Sequence, residues 1–405
     1  MKKVLKKIHL WLSVPTGIVI TLVCFSGAML AFEKEITEAI KPELYFVKDA
    51  KGEPIPMQQL MEKVEETLPD SVSISGVTVF ADSTRTYQVS LSKPRRASIY
   101  VNQYTGEVTG RSERLPFFNA MFHLHRWLLG SSSGVGKLLT GICALALAFI
   151  LVTGILMWLT NRNKPLKASL SIHVTKGWGR FWHDLHVAGG IYATIFLLAM
   201  ALTGLTWSFS WYRTGFYACF GVESSERNGA HGEGGNSHGE GRDSHGEGRN
   251  NHEGERGEGR GEGRGNEFYH EGGYHEEGYG FHRRSPYRHW DDVLNEVASK
   301  NPGYRQITLK PEVAEVVPEG RLSMRATDKY SYDRRSGEIT DVQLYSAGEK
   351  DTKVRSGIYM VHTGSWGGII TRILNFLAAL IGATLPLIGY WLWIRRLTRK
   401  RHQQA

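Results

Sequence analysis

Four apolar blocks interrupt an otherwise polar chain. They fall at roughly 10–32, 136–160, 187–211 and 369–394. Each is long enough to cross a hydrocarbon core, which needs about 20 residues. The first contains IVITLVCFSGAMLAF and the second LLTGICALALAFILVTGILMWL. Trp158, Trp207, Trp211, Trp391 and Trp393 cluster near block ends, as an aromatic belt would. Between the blocks the period changes. PMQQLMEKVEETL, from Pro56 to Leu68, has helical spacing, and strands follow around Ser73–Phe80, Thr86–Leu91 and Ala97–Asn102. After the third block a helix is expected from His289 to Ser299, then strands near Gln306–Leu309, Arg321–Ala326 and Lys329–Asp333. SIYVNQYTGEVT and KYSYDRRSGEIT both read as a strand, a glycine turn and a second strand.

The expected fold is a membrane protein with an all-α four-helix transmembrane bundle, two small α+β domains and an internal two-fold repeat. The spans and their flanks are 1–32, 116–160, 183–213 and 356–396. The two domains are 33–115 and 286–355, the loop is 161–182 and the tail is 397–405. The stretch 214–285 is an insertion. Its core, from about Glu223 to His282, is rich in Gly, Glu, Arg and His and is expected to be a disordered linker. His231, His238, His245 and His252 recur there every seven residues and could bind metal ions loosely.

Charge orients the chain. The head carries Lys2, Lys3, Lys6 and Lys7. The loop carries Arg162, Lys164, Lys167, Lys176 and Arg180, and the tail Arg395, Arg396, Arg399, Lys400 and Arg401. None of these segments holds an acidic residue between or beside those positions. By the positive-inside rule all three are cytoplasmic, both termini included. The net charge of +9 therefore reports topology, and the rest of the chain is net negative. Nucleic acid is not an expected partner. A cleaved signal peptide is disfavoured, because the first apolar run is too long and Met29-Leu30-Ala31 is a poor cleavage site. Cys24, Cys143 and Cys219 form no C-x-x-C pair, which disfavours a disulfide framework or a cysteine-ligated metal.

Histidines carry the candidate chemistry. His9 opens the first span and His186 the third. Each is followed 18 residues later by the glycine of a small-residue pair, Ser26-Gly27 and Thr203-Gly204. His123 and His125 lead into the second span and His362 into the fourth. Ligating residues at membrane edges are costly and usually functional. Paired imidazoles at matching depths can hold haem iron from both sides. Without C-x-x-C-H, such haem would be b-type and non-covalent. His183 stands three residues before His186, and Asp184 could orient an imidazole. His123 and His125 cannot both face inward from one regular helix; one would ligate while the other meets a propionate or substrate. Arg126 could pair with a propionate. Gly27, Gly154, Gly204 and Gly389 would admit a flat macrocycle or a neighbouring helix.

The chain resembles PepSY-associated transmembrane proteins, whose members include bacterial integral-membrane ferric-siderophore reductases. The resemblance rests on Lys7-Ile8-His9-Leu10-Trp11, His123-Leu124-His125-Arg126, Asp184-Leu185-His186, His362-Thr363-Gly364 and the paired TGE/SGE turns. It covers nearly all the chain except the insertion. It implies two haem b groups and two PepSY-like periplasmic domains in the bacterial inner membrane. His9 and His186 would hold an inner haem, and His125 and His362 an outer one. It leaves open a ligand role for His123 or His183. Electrons would pass from an unidentified cytoplasmic donor to a ferric siderophore, or similar iron chelate, between the two soluble domains. The chain offers no nicotinamide or flavin fingerprint of its own. The alternative is a membrane-anchored PepSY regulator, inhibitor or binding protein without redox activity.

Overall fold

The computed structural model describes residues 2–94, 97–160, 169–222, 285–321 and 323–402. The insertion from about Glu223 to His282 lies outside the described residues, as do residues 161–168 of the basic loop. Among the described residues, four helices are long and apolar enough to cross a membrane. They are α1 (Lys2–Leu30), α6 (Val135–Leu159), the run Trp178–Ser208, and α12 (Gly368–His402). The third run is composite: α7 (Trp178–Asp184), a π-helical turn (Leu185–Gly189) and α8 (Gly190–Ser208).

The spans close into a ring, α1 against α6, α6 against α8, α8 against α12 and α12 against α1. Their shared core is small and apolar, with Ile20 and Cys24 from α1, Cys143 and Leu151 from α6, Ala193 and Leu197 from α8, and Ala378 and Ala383 from α12. Lipid supplies no hydrophobic drive between helices, so small residues that permit close packing do this work. Polar side chains add cross-links: Thr21 Oγ1 donates to the Ala383 carbonyl at 3.0 Å, and the Tyr390 hydroxyl to the Val14 carbonyl at 2.5 Å.

Outside the bundle, eight antiparallel strands form one sheet in the order β4-β3-β2-β1-β5-β6-β7-β8. These are β1 (Ile74–Phe80), β2 (Tyr87–Leu91), β3 (Ser98–Val101) and β4 (Val108–Arg111), then β5 (Gln306–Lys310), β6 (Val313–Val317), β7 (Asp328–Tyr332) and β8 (Ile339–Gln343). Two small separate domains were expected. Instead β1 pairs with β5, Val77 opposite Leu309 and Thr78 opposite Thr308, whose hydroxyls are 2.9 Å apart. No cleft divides the halves at that seam, so a substrate site between two separate soluble domains is not available there. Alternation explains the join: Val77, Val79, Ile307 and Leu309 all point to one buried core, and two short sheets each with an open apolar edge bury more by fusing.

That core is closed by α4 (Met57–Glu65) and α10 (Trp290–Lys300), which bring Leu60, Met61, Trp290 and Val293. The two helices are latched. Both Asp291 carboxylate oxygens accept the Met57 amide, at 3.0 and 2.8 Å, capping α4 from the other half of the chain. Burial there raises the Asp291 pKa, with its amide bonds opposing the shift. Asp291→Ala leaves the first amides of α4 without this cap and is expected to destabilise the sheet domain by about 1–2 kcal/mol. Chemical denaturation followed by tryptophan fluorescence checks this; an unchanged midpoint rules the latch out.

The repeated turns behave as expected. Gly106 (φ 77°) and Gly337 (φ 79°) occupy the left-handed region, and each amide donates to the carbonyl four residues earlier, Asn102 or Asp333, at 2.8 Å. The described residues of the region expected as a strand, Arg321 and 323–326, are not in a strand; β6 lies earlier, where Ala314 and Val316 alternate inward. α9 (Ser210–Ala218) runs past 214 and buries Tyr217 against Ile358. Short helices α2 (Glu33–Ile40) and α3 (Pro42–Tyr45) connect α1 to the sheet, and α5 (Pro116–Trp127) and α11 (Lys350–Thr363) lead into α6 and α12.

Candidate functional site

Four histidines sit in four sockets of one design. His125, on α5, donates Nδ1–H to the Val23 carbonyl of α1 at 2.9 Å. His362, on α11, donates to the Met200 carbonyl of α8 at 2.9 Å, with Thr203 Oγ1 at 3.2 Å. His186, in the π-helical turn, donates to the Leu385 carbonyl of α12 at 3.2 Å. His9, on α1, donates to Thr153 Oγ1 of α6 at 3.0 Å, and that hydroxyl passes its own proton to the Ile150 carbonyl at 2.9 Å.

Each socket ends in a glycine four residues after its carbonyl: Val23 and Gly27, Ile150 and Gly154, Met200 and Gly204, Leu385 and Gly389. Residues four apart share a helix face. Removing the Cβ there opens the flank of the helix, so a ring from a neighbouring helix can reach a main-chain oxygen. The four imidazole Cε1 atoms lie against these glycines. A Cβ at Gly27 would stand 2.8 Å from His125, and one at Gly204 3.1 Å from His362. At Gly154 and Gly389 the distances to His9 and His186 would be 3.7 and 3.6 Å.

The acceptors decide the tautomer. A carbonyl only accepts, and the Thr153 hydroxyl has its proton on the Ile150 carbonyl, so each ring carries its proton on Nδ1 and presents the Nε2 lone pair, the state of a metal-ligating imidazole oriented by a second partner. The sockets also bring the rings together in two pairs. His125 and His362 have centroids 6.0 Å apart with planes at 59°. Two imidazoles on opposite sides of one metal atom, with bonds of about 2 Å, put their centroids roughly 6 Å apart. His9 and His186 lie within electrostatic reach of one another at the other end of the bundle. Among the described residues, no group of three or more His, Cys, Asp or Glu could hold a metal ion. Each pair offers two imidazole nitrogens, so a metal held there would need its remaining ligands from another group.

Further side chains hold the His125–His362 pair. Asn375 Nδ2 donates to the Val361 and His362 carbonyls at 3.1 and 3.4 Å, and Thr371 Oγ1 to the Gly364 carbonyl at 2.5 Å. These bonds occupy the carbonyls that end α11. The Trp207 ring meets His362 edge-on at 4.9 Å.

The remaining expected residues are placed elsewhere. His123 stacks edge-on against Trp127 at 4.9 Å. Arg126 lies over the Phe122 and Trp127 rings, 5.6 and 5.5 Å from their centroids. His183 is half exposed and meets Asp184 Oδ1 at 3.4 Å. It does not share the inward face of His186, because the π-helical turn re-aims the chain between them. Asp184 does not orient His186; it gathers His173 and Arg180, both at 2.8 Å, pinning the loop to α7. Asp184→Ala is expected to free that loop while leaving the four sockets intact. Limited proteolysis between 169 and 177 should speed up several-fold, and unchanged cleavage would contradict the pin.

Sequence reasoning had singled out the four glycines and two of the Ser/Thr-Gly pairs. It missed Thr153, although Thr153-Gly154 repeats that pair. It also missed Asn375 and Thr371, which carry no local signal. The PepSY-associated TM region matches residues 6–396, an interval that contains all four sockets. No curated protein matches the chain.

Proposed function

The chain belongs to the PepSY-associated TM family, and from that premise we propose a membrane oxidoreductase that holds two haem b groups and carries electrons from a cytoplasmic donor to a ferric siderophore. The observation that carries this reading is the set of four sockets, each fixing one imidazole with Nε2 free, gathered as two pairs. Haem bound between such pairs supplies one-electron Fe(III)/Fe(II) chemistry, and bis-histidine ligation favours electron transfer over oxygen activation.

His9 and His186 form the inner pair in this reading, and His125 and His362 the outer pair. The chain's own work is orientation. Backbone carbonyls lock three rings against rotation and the Thr153 hydroxyl locks the fourth, glycines set how closely the helices pass them, and the apolar core around Cys24, Leu197 and Ala378 keeps water out between the two levels. A regulator needs only an anchor, and nothing in that role calls for imidazoles aimed at one another.

The same reading places the chain in the bacterial inner membrane, with both termini cytoplasmic by the charge asymmetry and the sheet domain in the periplasm. It also takes the chain as two related halves. The strand order reads alike outward from the β1–β5 seam, and each half contributes two sockets. The substrate then approaches the outer pair along the sheet domain, and reduction to Fe(II) weakens hard-oxygen chelation.

Oxidised and dithionite-reduced spectra of the detergent-purified protein, with a pyridine haemochrome assay, test this directly. Two b-type haems per chain are the expected result. An absence of haem, where a control cytochrome is loaded, overturns it in favour of the anchored regulator.

A further inference from the structure

Two buried guanidinium nitrogens at the outer end of the bundle lack an acceptor among the described residues, Arg114 Nη1 and Arg372 Nε. Arg114 is almost fully buried, its side chain 7 % exposed. Its Nε and Nη2 hold the Glu33 carboxylate, both at 2.5 Å, and its guanidinium lies 4.4 Å from the Phe122 ring centroid. Arg372 holds Glu35 through Nη2 at 2.6 Å and lies 5.1 Å from the Phe32 ring centroid. Glu33 and Glu35 both stand in the first turn of α2, so one short helix carries both arginines, and each arginine keeps one donor in reserve.

Leaving a buried charged donor unpaired is among the more costly arrangements in a folded protein. A guanidinium with a free edge matches a carboxylate in shape and charge better than any other common partner. The placement is specific. Arg114 stands two residues before α5, whose Phe122 stands one turn before His125. Arg372 lies between Thr371 and Asn375, the two side chains that fasten the end of α11 beside His362. Each spare donor therefore travels with one member of the outer histidine pair.

We infer that Arg114 and Arg372 form a two-armed carboxylate site for the propionate groups of the tetrapyrrole held by His125 and His362. This rests on the haem reading above. It moves the anchoring role from Arg126, whose guanidinium is laid over aromatic rings, to two arginines that sequence reasoning passed over. α2 becomes the frame of the site: its glutamates neutralise and orient the arginines, leaving one edge of each for the ligand.

The test uses the full-length protein in nanodiscs, stripped of pigment and reloaded with protohaem or with its dimethyl ester, which lacks both carboxylates. Release to an excess of apomyoglobin is then timed. The wild-type outer site should release the ester about tenfold faster than protohaem, the effect of losing charge-assisted hydrogen bonds. Arg114→Lys and Arg372→Lys keep the charge facing Glu33 and Glu35 but lose the spare edge of the fork. Each should shrink the difference between the two pigments, with the inner haem spectrum unchanged. Variants that keep the full wild-type preference overturn the site. A loss of bound anionic lipid with that preference intact assigns the spare donors to a lipid phosphate and also overturns it. Wild-type protein that releases both pigments equally refutes this site alone, whereas wild-type protein that takes up neither overturns the haem reading and the site together.

Discussion

On the proposed haem reading, His125→Ala and His362→Ala are each expected to remove the outer haem and spare the inner one, and His9→Ala and His186→Ala are expected to do the reverse. Each substitution would delete one of the two imidazole nitrogens that would hold the group at its site. The fold should survive. The carbonyls that the rings leave, at Val23, Met200 and Leu385, belong to helices and keep their own intrahelical amide donors. No buried polar group is stranded, and the apolar character of the spans is unchanged. The measurement is haem per chain by pyridine haemochrome on material that elutes as a single species in detergent. A glycine in place of His125, supplied with free imidazole, should recover the outer haem spectrum. Four variants that all retain wild-type haem content would refute the ligand assignment while leaving the family membership untouched.

Gly27→Ala and Gly204→Ala are expected to weaken the outer haem by tenfold or more, whereas Gly154→Ala and Gly389→Ala are expected to leave the inner haem close to wild type. The difference comes from clearance. A methyl group at Gly27 or Gly204 would press on the imidazole at 2.8 or 3.1 Å, but at Gly154 or Gly389 it would rest at 3.7 or 3.6 Å, ordinary contact. Overpacking of the first kind costs about 1–3 kcal/mol, either by tilting the ring off its carbonyl or by separating the helices. Redox titration resolves the two haems and haem release reports their affinities. Equal behaviour of all four variants would mean that the sockets do not control the rings.

Much of the architecture was legible in local pattern. The four spans were predicted in place, and α4, α10 and most strands within a few residues, because apolar periodicity is set by which face each residue must bury. The TGE and SGE turns were legible for a similarly local reason, since glycine alone takes φ near 77° at no steric cost. Other elements were not. β6 lies among charged residues, and the short α2 has exposed Ile36 and Ile40, so neither carries a clean period.

The sequence by itself determined that this chain has four membrane-length apolar helices, a basic surface on one side, and histidines at both edges of the bundle. Those follow from composition and spacing, which need no partner. Only the tertiary structure decided that the two sets of four strands fuse at β1 and β5, that His125 faces inward while His123 stacks on Trp127, and that Asp184 serves the loop. It also decided that α2 carries two arginines with a donor each to spare. A hydrogen-bond partner from a neighbouring helix depends on how the helices cross and how closely a glycine lets them approach, and no periodicity within either helix records that.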